Sequence, residues 1–250
     1  MGEAIQLAML LFLPGLACDA RIYEPQLAAF PDSRAVDGYG LADSLPDMAR
    51  VALAQAPDRF DLFGHSMGGR VALEVWRQAP ERVRRLALVS TGVHSLRPGE
   101  AEKRKALQQV GWSEGFAALI DQWLPPMVAE ANRADPAIYP PLRQMNLEAG
   151  QQVFDAQIHA LVTRPEIESL LPAIACPTLV MTGALDSWAP PEQHAAIAAL
   201  IPHSELVIVP GAGHMIQLEA PGAVNAAIAR WLARPANDQP HHLEERQVHE

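Results

Sequence analysis

Short apolar runs that alternate with longer helical stretches are the feature that most constrains the fold. The six runs that predict β-strands are Leu7 to Leu13, Arg34 to Asp37, Phe60 to Gly64, Leu86 to Ser90, Thr178 to Thr182 and Glu205 to Val209. Helical periodicity predicts helices that join or flank them, at Leu45 to Gln55, Met67 to Gln78, Pro191 to Leu200 and Ala223 to Leu232. This alternation is typical of βαβ units, so we expect an α/β fold with a mostly parallel six-stranded sheet flanked by helices.

The interval between the fourth and fifth predicted strands, about Ser95 to Cys176, has no strand-like run. Its amphipathic stretches predict helices separated by Pro125-Pro126 and Pro140-Pro141, at Ala101 to Val110, Gly115 to Trp123 and Asn146 to Val162. A structureless loop of this length would be unusual in a compact domain. We therefore expect a core of residues 1–94 and 177–235, an inserted helical cap over 95–176, and a polar, mobile tail over 236–250.

Charge and cysteine content narrow the partners and the compartment. The net charge of −10, from 29 acidic and 19 basic residues, argues against nucleic-acid binding. Cys18 and Cys176 form neither a disulfide framework nor a metal-ligand pattern, so we expect a cytoplasmic protein without a metal or a cofactor. The run from Leu7 to Leu13 is far shorter than the ~20 residues that span a bilayer, and no membrane partner is expected. The oligomeric state stays open.

Ser66 is the candidate nucleophile. The segment Gly64-His65-Ser66-Met67-Gly68 directly follows a predicted strand and directly precedes a predicted helix. A serine in this G-x-S-x-G context lies on a sharp strand-to-helix turn, and the flanking glycines allow close backbone approach. The helix N-terminus also favours negative charge that develops beside the serine. Helix capping alone is the alternative, but a cap does not need glycine on both sides.

His214 is the candidate general base. It ends the segment Pro210-Gly211-Ala212-Gly213-His214, directly after the last predicted strand, which places it at the same sheet edge as Ser66. Imidazole can accept a serine proton near neutral pH. Of the other histidines, His65 is expected to support the turn, and His194 is expected on a solvated helix face.

Asp186 is the candidate carboxylate that orients the base. It directly follows the predicted strand Thr178 to Thr182, and the resulting chain order of Ser, Asp and His is the one this kind of strand-turn-helix serine requires. A carboxylate in this position fixes the imidazole tautomer and stabilises the imidazolium. Glu219, five residues after His214, is expected to be a structural partner of the same loop.

The sequence resembles the α/β-hydrolase superfamily, in particular its capped, cofactor-free serine esterase-like members. The resemblance covers about Leu7 to Leu232 and rests on four motifs: Leu13-Pro14-Gly15-Leu16, Gly64 to Gly69, Cys176-Pro177-Thr178, and Gly213-His214 followed by Glu219-Ala220-Pro221. It implies an oxyanion hole formed by the backbone N–H groups of Leu16 and Met67. The family usually has His-Gly where this chain has Pro14-Gly15.

The resemblance also implies that the cap closes an apolar substrate pocket over the site. Trp123 in the cap, and Trp188 and Met215 beside the catalytic loops, are the candidate pocket residues, with Trp112, Met127 and Met145 as further cap candidates.

The leading interpretation is that the protein hydrolyses a carboxylic ester through an acyl-enzyme. The substrate, which is the expected partner, is a small or medium-sized apolar molecule with an ester-like group. The same three residues are compatible with cleavage of a C–C bond, a lactone or a thioester, or with perhydrolysis. A ligand receptor that retains the triad is the non-enzymatic alternative. Dehalogenase and epoxide hydrolase activities are disfavoured because they need an aspartate at position 66.

Overall fold

A computed structural model of the protein describes residues 9–236. Its strands are β1 Leu10–Leu13, β2 Ser33–Ala35, β3 Phe60–His65, β4 Val83–Val89, β5 Thr178–Gly183 and β6 Ser204–Val209. All of them pair in parallel in one sheet of order β2-β1-β3-β4-β5-β6. The predicted six-stranded α/β fold is confirmed.

The strand order reverses direction between β1 and β3, which are neighbours with Leu13 opposite Gly64. In open parallel sheets, ligands bind in the crevice at the carboxyl ends of the strands where the order reverses. The loops that leave β1 and β3 therefore meet at the position where a site is expected.

The helices are α1 Glu24–Ala29, α2 Leu45–Gln55, α3 Met67–Gln78, α4 Glu100–Glu114, α5 Phe116–Trp123, α6 Tyr139–Val162, α7 Pro191–Leu200, α8 Ile216–Glu219 and α9 Pro221–Leu232. Helix α3 packs on β1, β3 and β4 and carries α2 on its other side, whereas α9 packs on β5 and β6 and contacts α1. The sheet is thus flanked by helices, and its strands β1, β3 and β5 are fully buried.

An aromatic cluster lies beneath the crevice. The ring of Phe12 stacks on Tyr23 with centroids 4.7 Å apart and meets the edge of Phe63 at 5.2 Å. The Tyr23 hydroxyl is buried and donates to the carbonyl of Leu13 at 2.7 Å. Burying these rings stabilises the sheet, and the hydroxyl holds the end of β1 at the crevice.

The segment between β4 and β5 contains α4, α5 and α6, which pack on one another. Trp123 and Phe116 both meet the ring of Phe154 edge-on, at centroid distances of 5.3 and 5.9 Å. This helical segment coincides with the predicted cap, although its status as a domain with limits at 95 and 176 stays a prediction.

Two boundaries in this segment differ from the sequence prediction. Pro140 and Pro141 were expected to separate helices, but they occupy the first turn of α6, where a missing N–H costs no hydrogen bond. Gly150 has non-helical angles, φ 81° and ψ 162°, so α6 contains a break inside the predicted helix Asn146 to Val162. The start of the first predicted strand at Leu7 and residues 237–250 of the predicted tail lie outside the described residues.

Candidate active site

Ser66 lies on a sharp turn between β3 and α3, with φ 56° and ψ −120°. A Cβ atom on Gly64 would lie 2.3 Å from the carbonyl oxygen of Gly68, and one on Gly68 would lie 2.2 Å from that of Leu13. Neither distance is tolerable, so glycine is required at both positions for β1, β3 and α3 to approach one another. The turn raises the Ser66 side chain into the crevice at the carboxyl edge of the sheet.

A chain of hydrogen bonds links Ser66, His214 and Asp186. Nε2 of His214 lies 2.8 Å from Oγ of Ser66, and Nδ1 lies 2.9 Å from Oδ2 of Asp186. His214 follows β6 and Asp186 follows β5, so two neighbouring strands deliver the pair to the edge where β3 delivers the serine. The structure thus brings together the three residues that the sequence singled out.

The Asp186 carboxylate is buried but well supplied with donors. Oδ1 accepts the backbone N–H groups of Trp188 and Ala189, each at 2.9 Å, while Oδ2 faces His214 and the Thr182 hydroxyl. Burial alone would raise the pKa of Asp186, but attraction to His214, the hydrogen bond from it and the two N–H groups lower that pKa to about 2. An ionised carboxylate can only accept, so Nδ1 of His214 carries a proton and neutral Nε2 is free to accept from Ser66.

His65 is buried next to the serine and faces away from it. Its Nε2–H donates to the backbone carbonyl of His214 at 2.8 Å, and the two imidazole rings are 5.1 Å apart. Burial, with repulsion from His214, lowers the pKa of His65 to about 3. Near neutral pH, His65 therefore holds the His214 loop without adding a charge beside it.

Glu219 ties the His214 loop to the segment after α5. Its Oε2 accepts from the backbone N–H groups of Ala129 and Gly213 and from the Asn132 amide, at 2.8 to 3.0 Å, and its Oε1 accepts from the N–H of Met215 at 3.1 Å. It makes no hydrogen bond to His214. The carboxylate is a structural hub, as the sequence predicted.

We expect Glu219→Gln to lower the free energy of unfolding by about 1 to 3 kcal/mol, because an amide nitrogen in place of one oxygen leaves backbone donors without an acceptor. Thermal and urea unfolding measure the loss, with Glu81→Gln, an exposed change outside this hub, as the matched control. A variant as stable as the wild type would contradict the role of Glu219 in holding the loop.

Leu16, on the loop after β1, and Met67, the first residue of α3, line the crevice beside Ser66, and the resemblance assigns their N–H groups to an oxyanion hole. The loop and cap hydrogen bonds of the described residues leave both N–H groups unused. The Tyr39 hydroxyl donates to the carbonyl of Pro14 at 3.2 Å, so this loop has its own anchors despite lacking the family's usual His-Gly.

Two buried amide side chains from α6 also hold this loop. Oε1 of Gln157 accepts the N–H of Ala17 at 2.6 Å, and Nδ2 of Asn146 donates to the carbonyl of Ala17 at 3.0 Å. Sequence reasoning missed both residues. Their signal was a polar amide within an otherwise apolar helix face, which becomes meaningful only when the face is known to be buried.

A cavity of about 350 Å³ opens above Ser66 and His214. Its apolar lining comes from the catalytic loops and from the helical segment between β4 and β5. It consists of Leu16, Met67, Trp123, Met127, Leu161 and Trp188. Trp123 and Trp188 line this cavity, and their contact with a substrate stays a prediction. The volume suits a ligand of small to medium size.

Three other candidates lie elsewhere. Met215 is buried and does not line the cavity, because its N–H binds Glu219 and its side chain belongs to the core. Trp112 is exposed and donates to Asp155, and Met145 is buried away from the cavity.

The expectation that His194 lies on a solvated helix face was wrong. His194 is fully buried, and its Nε2 accepts the N–H of Thr91 at 3.0 Å.

The cavity is also lined by charged side chains. These are Arg70 from α3, Arg97 just before α4, and Glu100, Lys103 and Arg104 in the first turns of α4. Glu100 is engaged by Arg104 at 3.0 Å and by the buried Arg164 at 2.6 Å. The predicted apolar pocket therefore has a lining that is partly charged.

Residues 9–236 contain no cluster of three or more His, Cys, Asp or Glu side chains arranged to hold a metal ion. Over the same range, no helix has both the length and the apolar character required to cross a membrane.

Serine, aspartate and histidine, in that chain order, at the carboxyl edge of a parallel sheet define a class of α/β proteins built as hydrolases. The model of the alpha/beta hydrolase family matches residues 9–227, and the chain belongs to that family.

Known relatives extend the comparison. The chain is 30% identical over 233 residues to the pimeloyl-[acyl-carrier protein] methyl ester esterase of Pectobacterium carotovorum, covering 86% of this chain and 90% of the relative. It is 27% identical to a putative carbamate hydrolase of Variovorax paradoxus, covering 93% and 92%. Among solved structures, a thermophilic esterase from Thermogutta terrifontis superposes with a TM-score of 0.82 at 29% identity, over 90% of this chain and 89% of that one.

Proposed function

We propose that this protein is a serine hydrolase that cleaves a carboxylic ester of a small or medium-sized substrate through an acyl-enzyme. The observation that carries the proposal is the continuous hydrogen-bonded chain from Ser66 through His214 to Asp186, opening into a cavity of about 350 Å³. A serine hydroxyl needs a base with a fixed tautomer to become a nucleophile, and this chain provides one.

In the first half of the reaction, Oγ of Ser66 attacks the ester carbonyl carbon while its proton passes to Nε2 of His214. The carbonyl oxygen becomes an oxyanion, which the N–H groups of Leu16 and Met67 stabilise, each contributing about 3 kcal/mol in the transition state. The Asp186 carboxylate stabilises the imidazolium. His214 then donates its proton to the leaving alcohol, and the acyl-enzyme remains.

In the second half, water replaces the alcohol. The water oxygen attacks the acyl carbon while His214 accepts a proton from the water. His214 then returns this proton to Oγ of Ser66 as the carboxylic acid leaves. The apolar wall of Trp123, Met127 and Leu161 accommodates an apolar part of the substrate and restricts bulk water.

Two of the similar proteins are named esterases, which supports an ester as the scissile bond. A third is named a putative carbamate hydrolase, so a carbamate is the bond to compare with it. C–C, lactone and thioester hydrolysis and perhydrolysis use the same three residues and stay as alternatives to test.

Fluorophosphonate labelling tests the nucleophile, and a panel of p-nitrophenyl esters with acyl chains from acetyl to decanoyl tests the bond. We expect stoichiometric labelling of Ser66 and a maximum of kcat/KM among the short to medium chains, because the cavity is near the lower end of ligand-site volumes. A lactone, a thioester and a carbamate tested in parallel compare the bonds. If Ser66 is labelled but none of the esters, the lactone, the thioester or the carbamate is turned over, the protein is a binding protein and the proposal is contradicted.

A further inference from the structure

Arg70 is a buried cation that has no carboxylate in direct contact and feels Glu100 only at longer range. It lies one turn along α3 from Ser66, on the same side of the helix, and is 6% exposed. Its guanidinium donates twice, at 3.2 Å, to the carbonyl oxygen of His94. Among the described residues it has no carboxylate within ion-pair distance, although buried charges are normally paired.

The other charges of the cavity lining are mostly positive. Within the described residues, the cavity wall carries Arg97, Lys103 and Arg104 besides Arg70, against Glu100 as its acidic member. Both oxygens of Glu100 are already bound by Arg164, and one of them also by Arg104. Burial lowers the pKa of Arg70 to about 9, repulsion from Arg164, Arg104 and Arg97 contributes in the same direction, and attraction to Glu100 offsets only part of this. The protein as a whole is acidic, so a cationic wall is a local feature.

We infer that Arg70 and the start of α4 form an anion subsite within the cavity, and that the substrate carries a carboxylate at the end remote from its scissile ester. This rests on the proposed ester hydrolysis and specifies its substrate class. The ligand carboxylate supplies the counter-ion that Arg70 lacks, while the apolar wall contacts the chain between the two groups.

A small carboxylate fits these observations better than an acidic protein. Arg70 is nearly inaccessible from outside and lines the same cavity as Ser66 and His214. An acidic protein surface would instead meet the exposed side chains of α4, among them Lys105, which does not line the cavity. Substitutions at Arg70 and at Lys105 therefore distinguish a small carboxylate from an acidic protein as the ligand.

The first experiment measures binding without turnover, in the Ser66→Ala background, by thermal shift and calorimetry with glutarate and adipate. We expect both dianions to raise the melting temperature in the presence of Arg70 and to bind at least about 10-fold more weakly after Arg70→Met. Lys105→Met, at an exposed position of α4 outside the cavity, removes the same charge and should change the dissociation constant less than about twofold. Because no reaction is involved, this result does not depend on ester cleavage.

The second experiment measures specificity in the active enzyme. Monomethyl succinate, glutarate and adipate are each paired with a methyl ester in which an isopropyl group replaces the carboxylate. The pair 4-acetoxybutanoate and 4-methylpentyl acetate places the charge on the alcohol side. We expect the carboxylate member to be preferred in kcat/KM on one of the two sides, and Arg70→Met to reduce that preference by about 10- to 100-fold.

Three results would overturn the inference. In the first, the wild type shows no preference for a carboxylate on either side and no binding of the dianions. In the second, Arg70→Met lowers both members of a pair equally and lowers the melting temperature, which identifies a structural role for Arg70. In the third, Lys105→Met removes the preference, which places the anion on the outer surface of α4. If turnover fails but the dianions bind through Arg70, the ester proposal fails and the subsite stands.

Discussion

Replacing Ser66 with alanine is expected to reduce kcat/KM for ester hydrolysis by about 10⁴- to 10⁶-fold, the usual cost of removing a nucleophile from a triad that acts as a unit. The fold should survive, because both residues carry a Cβ at the same strained φ of 56° and only one oxygen is lost. Rate per folded molecule is measured with the preferred p-nitrophenyl ester, and folding is measured by thermal unfolding. Retention of more than about a tenth of the wild-type rate would remove Ser66 from the mechanism.

Ser66→Gly is the matched control for this experiment. Glycine also lacks the nucleophile, but it adopts a positive φ without steric cost, whereas a residue with Cβ stores about 1 to 3 kcal/mol at such a position. Part of that gain is offset by the greater entropy of glycine in the unfolded chain. We expect the glycine variant to be as inactive as the alanine variant and about 1 kcal/mol more stable. Equal inactivity at different stability would separate loss of the nucleophile from damage to the turn.

Much of the fold could be predicted from the sequence because local signals and tertiary context agree. Helix α2 begins at the predicted residue, where the Ser44 hydroxyl accepts the N–H of Asp47 and Pro46 occupies the first turn. The start of β4 was predicted at Leu86 but lies at Val83, because Arg84 and Arg85 interrupt the apolar pattern. Arg85 enters the sheet by pairing with Asp61 at 3.0 Å, a partner from β3 that no local pattern reveals.

The candidate triad could be located for a related reason. Each member lies on the turn or loop that follows a strand, and parallel strands deliver their ends to one edge. Arg70, Asn146 and Gln157 could not be located in this way. They are polar residues on helices, where the usual expectation is a solvated face. The two amides are buried against the loop after β1, and Arg70 is buried where it binds the segment after β4. Prediction from periodicity and motifs therefore does not identify the side chains that shape the cavity.

Asp186→Asn is expected to reduce turnover by about 10⁴-fold while leaving the fold and substrate binding nearly intact. Oδ1 of Asp186 accepts two backbone N–H groups, so the amide oxygen of asparagine must take that position. The amide NH₂ then occupies the position of Oδ2 and donates to Nδ1 of His214. His214 is thereby held in the tautomer with its proton on Nε2, which cannot accept the proton of Ser66.

The ionisation of Asp186 sets the pH dependence of the activity lost in Asp186→Asn. Because the pKa of Asp186 is lowered to about 2, its carboxylate is ionised throughout the range of about pH 5 to 9, and neither enzyme form changes charge at position 186 there. The deficit of Asp186→Asn should therefore persist across that range. Glu219→Gln, which alters the same loop through stability alone, should keep a rate per folded molecule near that of the wild type. Active-site titration with a fluorophosphonate, together with thermal unfolding, separates the two effects. An active Asp186→Asn beside a folded but inactive Glu219→Gln would reassign the carboxylate that orients His214.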